Sequence, residues 1–553
     1  MSRKQHSYIP VLQQQLAEGR IDRREFLRTA TLLGLSAGAA YGFVGKLFGQ
    51  AAIAPARADT ALPKGGTIRI AQRVKDITSP HAINWLEAAN IFRQVAEYLT
   101  KTGTDNITRP YLLEGWEASD DLKTWTLHVR KGVKWHSGRA FTAEDVVWNF
   151  RHVLDESVGS SVIGLMTGYM LNTVKKNGKD VTEIWDANAI EKVDDYTVRL
   201  NCKAPQLAVP EHLFHYPFAI LDPEQGGKFG VGSNGTGAFD LVEHVVGQKA
   251  VLKARSDYWG AGPYLDSLVF VDLGDTPSML VAALAANQVE GMLASTPDML
   301  PVLQKLDHCT MYKVDTSETD LVRVKVTEKP FDDQRVRKAL RLAIDAAKVQ
   351  KISLGDLGTV GEHHHVSPIH PEYAKLPPMT RDVAAAKKLL ADAGYPDGID
   401  STITFSAENN AQQKAVEAMV QQWQEAGIRV KINVVPGAQY WDIWEKVPMG
   451  CTNWSHRPLG VMLLALAYRS GVPWNESGYS NPEFDALLTK AEGILDPKKR
   501  SEVVEQLEKI MQEDGPLIQP AWHTNFTFYD RRVQGFKLHP TNYIFGEELA
   551  ISA

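Results

Sequence analysis

The chain has 553 residues, 44% hydrophobic and 23% charged, with a formal net charge of −6, which is ordinary globular composition with material for about three domains. The acidic balance argues against nucleic acid or an anionic membrane surface as the main partner. Cys202, Cys309 and Cys451 are the only cysteines; at most one pair could bridge, and their wide spacing excludes the close Cys pairs on which zinc sites are built.

At the start, "RIDRREFLRTATLLGLSAGAAYGFVG" places Arg23-Arg24 and Phe26-Leu27 ahead of an uncharged, Ala/Gly-rich run from Thr29 to Gly45, too short and too weakly apolar to span a membrane comfortably. Ala56-Arg57-Ala58 offers the small-x-small pattern of a signal peptidase, with cleavage expected before Asp59. The arginine pair ahead of a mildly apolar segment resembles a twin-arginine export signal, so residues 1–58 are expected to be a signal peptide and the mature chain periplasmic. The plainer alternative is an uncleaved anchor. Residues 1–58 carry eight Lys/Arg against three Asp/Glu, so a chain starting at Asp59 has a formal charge of −11 where the whole has −6.

Beyond this, "GGTIRIAQ" alternates Ile68 and Ile70 with Thr67 and Arg69 and reads as a first strand. "TWTLHVRKGVKW" reads as a hairpin, with Trp125, Leu127 and Val129 on one face, a turn at Lys131-Gly132, and the pattern resumed at Val133 and Trp135. In "FTAEDVVWNFRHVL", Thr142 caps a helix with acids in its first turn and an apolar stripe through Val146, Val147, Phe150, Val153 and Leu154. "VDDYTVRL" returns to alternation. The glycines of "GSNGTGAFDLV" bend the chain before another strand, as at a domain crossing. "TDLVRVKV" is then a strand and "DQRVRKALRLAIDAAKV" a helix; two further helices end at Gly394 and Gly427 as C-cap glycines, with the strand "IRVKINVV" directly after. Residues 481–514 read as helical, and "PLIQPAWHTNFTFYD" as strand. Helices alternating with strands through the middle, with β-rich ends, predict an α/β protein of several lobes.

Three motifs carry a resemblance. "RPYLLEGWEASDDLKTWTLHVRKGVKWHSGRAFTAEDVVWNF", "GTGAF" at 235–239 and "KPFDDQRVRKALRLAID" at 329–345 together resemble solute-binding protein family 5 of ABC transporters, the dipeptide, oligopeptide, nickel and opine binders. The likeness extends over about 65–550. It implies a periplasmic clam-shell of the cluster C type, two lobes plus an extra domain, with mixed sheets flanked by helices. By the family pattern the first lobe is 59–106, 230–318 and 518–553, the extra domain 107–229, and the second lobe 319–517. A ligand touching both lobes favours closure by its differential affinity for the closed state. The implied partners are a small-molecule or peptide ligand and the permease and ATPase subunits of an importer; the protein is expected to act as a monomer, without nucleic acid and without cofactor.

The resemblance also puts a ligand-recognising tryptophan of the second lobe at Trp454, within "CTNWSHRPLG". Asn453, Trp454, Ser455, His456 and Arg457 are therefore expected to bind ligand, with Gln72 and Arg73 after the first strand on the opposite wall. Peptide binders of the family often carry an Asp shortly after this Trp for the peptide's ammonium; here Ser455, His456 and Arg457 follow, and a permanent guanidinium favours a carboxylate or phosphate. A hydrolase is the competing class. No Gly-x-Ser-x-Gly elbow is present, and the adjacent Ser455 and His456 have no oriented third member, so no catalytic residue is expected. A periplasmic sensor of the same fold is the other alternative. "GEHHHV" invites a metal reading, in which an extended backbone would point His363 and His365 one way and His364 the other, with Glu362 or His370 nearby. Lacking a full ligand set, the tract is expected to be a solvated loop, and no metal site is expected.

Overall fold

A computed structural model describes residues 5–49 and 62–553 except 78, 177 and 275. Two mixed sheets flanked by helices form the body. In the first, strands run in the order Phe239–Val245, Lys249–Ala254, Ser267–Val271, Thr67–Ala71, Gly291–Met292, Ala521–Asp530, Cys309–Asp315. The strand Thr67–Ala71 sits centrally, parallel to both neighbours, with Ile68 and Ile70 fully buried, as alternation demands. In the second, the order is Ile428–Val435, Ile399–Ser406, Met449–Trp454, Thr319–Val324, Leu517–Ile518. A smaller antiparallel sheet of Leu113–Ala118, Thr124–Val129, Thr197–Asn201 and Ile190–Asp194 forms from the 107–229 stretch.

The chain passes between the two large sheets at Thr316–Glu318 and returns at Gln519–Pro520. These passages are laced together: Thr316 N donates to His523 O (3.2 Å), His523 N to Glu318 O (2.9 Å) and Thr319 Oγ1 to Ala521 O (2.6 Å). Such paired crossings are where a two-lobed protein hinges.

Local signals explain much of this. The helix Ala143–Val153 starts after Thr142, whose N–H donates to Asp145 Oδ2 at 2.8 Å. Gly394 and Gly427 lie just past their helices at φ +94° and +79°, left-handed backbone that glycine adopts without penalty. At 235–237 the requirement is space: a Cβ on Gly235 would lie 1.9 Å from Val95 O and one on Gly237 2.4 Å from Gln94 O.

Two expectations are corrected. Lys131-Gly132 does turn the chain, but no hairpin forms there: Thr124–Val129 pairs with Leu113–Ala118 and Thr197–Asn201, while Lys134 makes an isolated bridge to Ala140. Strand alternation reports a buried face and not the partner's address. Nor is the histidine tract a solvated extended loop. His363, His364 and His365 are all buried, with His363 and His365 at φ +61° and +62°. Among the described residues no three His, Cys, Asp or Glu side chains are grouped to hold a metal ion.

Residues 5–49 form three short helices, Ile9–Ala17, Arg23–Leu32 and Ala37–Phe48, packed on the body. No described helix is long and apolar enough to cross a membrane. Ala56-Arg57-Ala58 and Asp59 lie outside the described residues.

Candidate ligand-binding cleft

A cavity of about 290 Å³ lies between the two large sheets, lined from both sides. The second sheet supplies the end of strand Met449–Trp454, which runs antiparallel to Thr319–Val324 with Trp454 opposite Thr319 and Asn453 opposite Asp320. This pairing brings Asn453 and Trp454, and with them Ser455 and Arg457, to the cavity.

Trp454 is held from behind. Its Nε1 donates to Glu476 Oε1 (2.9 Å), whose other oxygen accepts from Arg323 Nε and Thr452 Oγ1, both at 2.7 Å. Arg323 and Glu476 are buried, so the pair is fully desolvated and the ring is fixed by charge-assisted bonds. Trp474 packs edge-on to Trp454 (centroids 6.0 Å) and to Trp444 (6.3 Å), and His365 closes the rear edge at 5.5 Å. Trp441, Trp85 and Tyr216 complete an aromatic lining.

Among the described residues, Arg457 is the one cation on this wall without a carboxylate partner. It is 4% exposed and its guanidinium sits over the Tyr216 ring at 5.4 Å. Nη1 donates to Ser455 O (3.2 Å) and His456 O (2.9 Å), and Nε is buried without a hydrogen-bond partner. No carboxylate among the described residues forms an ion pair with it. A buried charge paired only with carbonyls retains a strong demand for an anion.

The first sheet offers the opposite wall. Arg73 Nε is 3.0 Å from Asp272, and Gln72 Nε2 donates to Glu87 O (3.0 Å), leaving Gln72 Oε1 buried and unpartnered. Lys75 Nζ lies 4.0 Å above the Trp85 ring and 3.2 Å from Glu408 Oε1 of the second lobe. Asn410 Nδ2 donates to Asp298 Oδ2 at 3.2 Å. These are direct bonds between lobes. Burial raises the Glu87 carboxyl above its ordinary range, with Lys75 opposing and Glu408 adding to the shift.

Of the residues expected from sequence, Gln72, Arg73, Asn453, Trp454, Ser455 and Arg457 line the cavity; His456 does not. Its Nδ1 accepts from Ser317 N (3.1 Å), which leaves the proton on Nε2 to donate to Asn106 Oδ1 (3.0 Å). Burial depresses its pKa well below the ordinary value. His456 is thus a neutral strut behind the wall, held there between Ser317 and Asn106. Ser455 and His456 do not bond to one another, and the Cys451 thiol is fully buried with its pKa pushed well up by desolvation, so no nucleophile–base pair forms from this stretch. The sequence reading missed Trp85, Tyr216, Glu408, Trp441, Trp444, Trp474 and Asn542. The Tyr440-Trp441…Trp444 cluster was the one available signal, and aromatics at helical spacing are as common in cores.

Comparison with known proteins places these features in context. The description "Bacterial extracellular solute-binding proteins, family 5 Middle" matches residues 108–496. The chain is 26% identical over 489 residues to the heme-binding protein A of Haemophilus influenzae, covering 82% of this chain and 85% of that protein. It is also 26% identical over 490 residues to the dipeptide-binding protein of Escherichia coli, covering 83% and 89%. The solved structure of the periplasmic binding protein AgaA of A. tumefaciens R10 with agropinic acid superposes with a TM-score of 0.78 at 20% identity, covering 88% of this chain and 99% of that one. The match over most of the chain, with the cleft between two mixed sheets, shows that this protein belongs to the bacterial extracellular solute-binding proteins, family 5.

Proposed function

We propose that this protein is the periplasmic solute-binding subunit of an ABC importer, capturing an anionic, peptide-like small solute between its lobes and presenting it to the permease and its ATPase. Relatives named for binding dipeptides, oligopeptides and glutathione support the class. The observation that carries the ligand chemistry is Arg457: a buried guanidinium without a carboxylate partner, set in an aromatic-lined cavity of about 290 Å³. A carboxylate or phosphate would accept from it, and a compact ring or apolar body would lie against Trp454, Trp444 and Trp474. Gln72 Oε1, Asn542 Oδ1 and Trp85 Nε1, buried and unpartnered, supply directional polar contacts. The protein binds and releases its solute unchanged. Export of a folded precursor through a twin-arginine route, with residues 1–58 removed, belongs to the same reading, as does the division into lobes 59–106, 230–318 and 518–553, extra domain 107–229 and second lobe 319–517.

Mass spectrometry of small molecules released from the purified protein, followed by isothermal titration with the compound found, tests this reading. One equivalent of an anionic solute, recovered unaltered after long incubation, is expected. A cationic solute, or a chemically changed one, overturns it.

A further inference from the structure

We infer that residues 5–49 act as an intramolecular clamp, docked in a groove that runs from the 105–119 region, where the first lobe passes into the extra domain, to the second lobe, and that this clamp holds the second lobe against that junction in the arrangement seen here. The segment is built into the body. In the helix Arg23–Leu32 every residue from Phe26 onward is buried, and Phe26 packs on Phe43 at 5.3 Å. On one side, Trp116 Nε1 donates to Leu32 O (2.7 Å), Arg109 Nη2 to Tyr41 Oη (3.2 Å) and Tyr41 Oη to Asp105 (3.2 Å). On the other, Gln15 Nε2 donates to Asp496 (3.0 Å), and Arg500 lies 3.5 Å from Glu25.

The groove meets its occupant through charge: Glu25 lies between Arg28 and Arg500, while both Glu211 carboxylate oxygens and Arg28 Nη1 stay buried without hydrogen-bond partners. Arg500 is fully buried, and Glu211 and Glu372 lie near Arg28 with carboxylate oxygens that lack hydrogen-bond partners. Arg28 and Glu25, 2.8 Å apart, enter this slot and bring one charge of each sign to it. Buried charges need such company; without the helix the slot must flood. A segment bonded to both sides stabilises whichever lobe arrangement lets it make both sets of contacts, by its differential affinity for that arrangement. Because Arg23 and Arg24 stay exposed while Phe26–Leu32 are buried, the arginine pair is presented to solvent by a docked helix. Resting on the processing proposed above, the clamp is a property of the unprocessed chain and is lost on cleavage.

The test compares the full chain with one beginning at Asp59. Solved neighbours are covered over their whole length by 89% of this chain, so the fold closes without about a tenth of it. Spin labels at Gln304→Cys on the first lobe and Lys414→Cys on the second, both exposed, report lobe separation without any ligand and leave the Asn410–Asp298 bond in place. The full chain is expected to give one narrow distance distribution and the shorter chain an added longer component; identical distributions overturn the clamp. Trypsin tests docking separately: cleavage after Arg28 is expected to be at least roughly 100-fold slower than after Arg20 and to accelerate in Glu25→Ala, since a buried site is cut only from its open state. Equal rates at Arg28 and Arg20 overturn the docking itself.

Discussion

The two walls of the cleft use charge in opposite ways. On the first-lobe wall, Arg73 and Lys75 are matched by Asp272 and Glu408, so their charge is spent on shaping the wall and on joining the lobes. On the second-lobe wall, Arg457 is buried against carbonyls and a tyrosine ring. Cations alike in sequence are therefore unlike in role, and what separates them is the presence of a carboxylate within reach. The aromatic residues divide similarly: Trp454 is locked by Glu476, whereas Trp85 has its Nε1 buried and unpartnered.

The most drastic way to break this contrast is to unmake the support of the second wall. Arg323→Leu leaves Glu476 buried and unpaired, which should cost about 3–5 kcal/mol, seen as a lowered melting temperature and a loosened Trp454 fluorescence environment. An unchanged melt would mean that water enters and solvates Glu476.

Next comes the free cation. Arg457→Ala should weaken binding of the identified solute by at least ~30-fold, since truncating one side of a buried charged contact costs roughly 2–5 kcal/mol. Arg457→Lys should recover only part, because the planar fork is gone. An Ala variant within a few-fold of wild type would erase the distinction between the walls.

The latch of the first wall should matter less. Glu408→Gln removes a partly exposed ion pair with Lys75, worth about 1 kcal/mol, so affinity should fall by roughly 5-fold and scattering should show a larger radius of gyration for the liganded protein. A change in affinity without a change in shape would make Glu408 a ligand contact instead.

The smallest effect concerns the hinge. Burial opposes charge on His523, but Asp320, 3.2 Å away, and Glu318 outweigh it and raise its pKa above the ordinary value. A raised folded-state pKa means stabilisation that is complete below the unfolded value of about 6.5 and lost as pH rises through the folded value. Wild type should therefore melt slightly higher at pH 6 than at pH 8, and His523→Gln should flatten that difference; parallel curves would refute it.

How far the sequence could be read follows from the range of each signal. Thr142, Gly394 and Gly427 act within a turn or two, and their elements are legible. The first strand is legible because both its neighbours bury it. The supposed hairpin at Lys131-Gly132 failed because Thr124–Val129 pairs back with Leu113–Ala118 on one edge and with Thr197–Asn201, some seventy residues on, on the other, and no local pattern encodes that second partner. Trp454 and Arg457 were reached through a family motif, while Trp85, Trp474 and Asn542 come to the cavity from three distant stretches and carry no mark of it. His456 stood beside Arg457 in sequence, yet one residue of backbone rotation sends it behind the wall.

Ser317 sits in the passage between the sheets, and its hydroxyl accepts from Arg457 N (3.2 Å) while its own N–H holds His456. The backbone that carries the Arg457 guanidinium is thus tied to the passage between the sheets, where a swing of the lobes displaces it least. Under the function proposed above, capture is then sequential: the solute's charge seats on a stationary post while the jaws stand apart, and the far wall sweeps over an already oriented cargo.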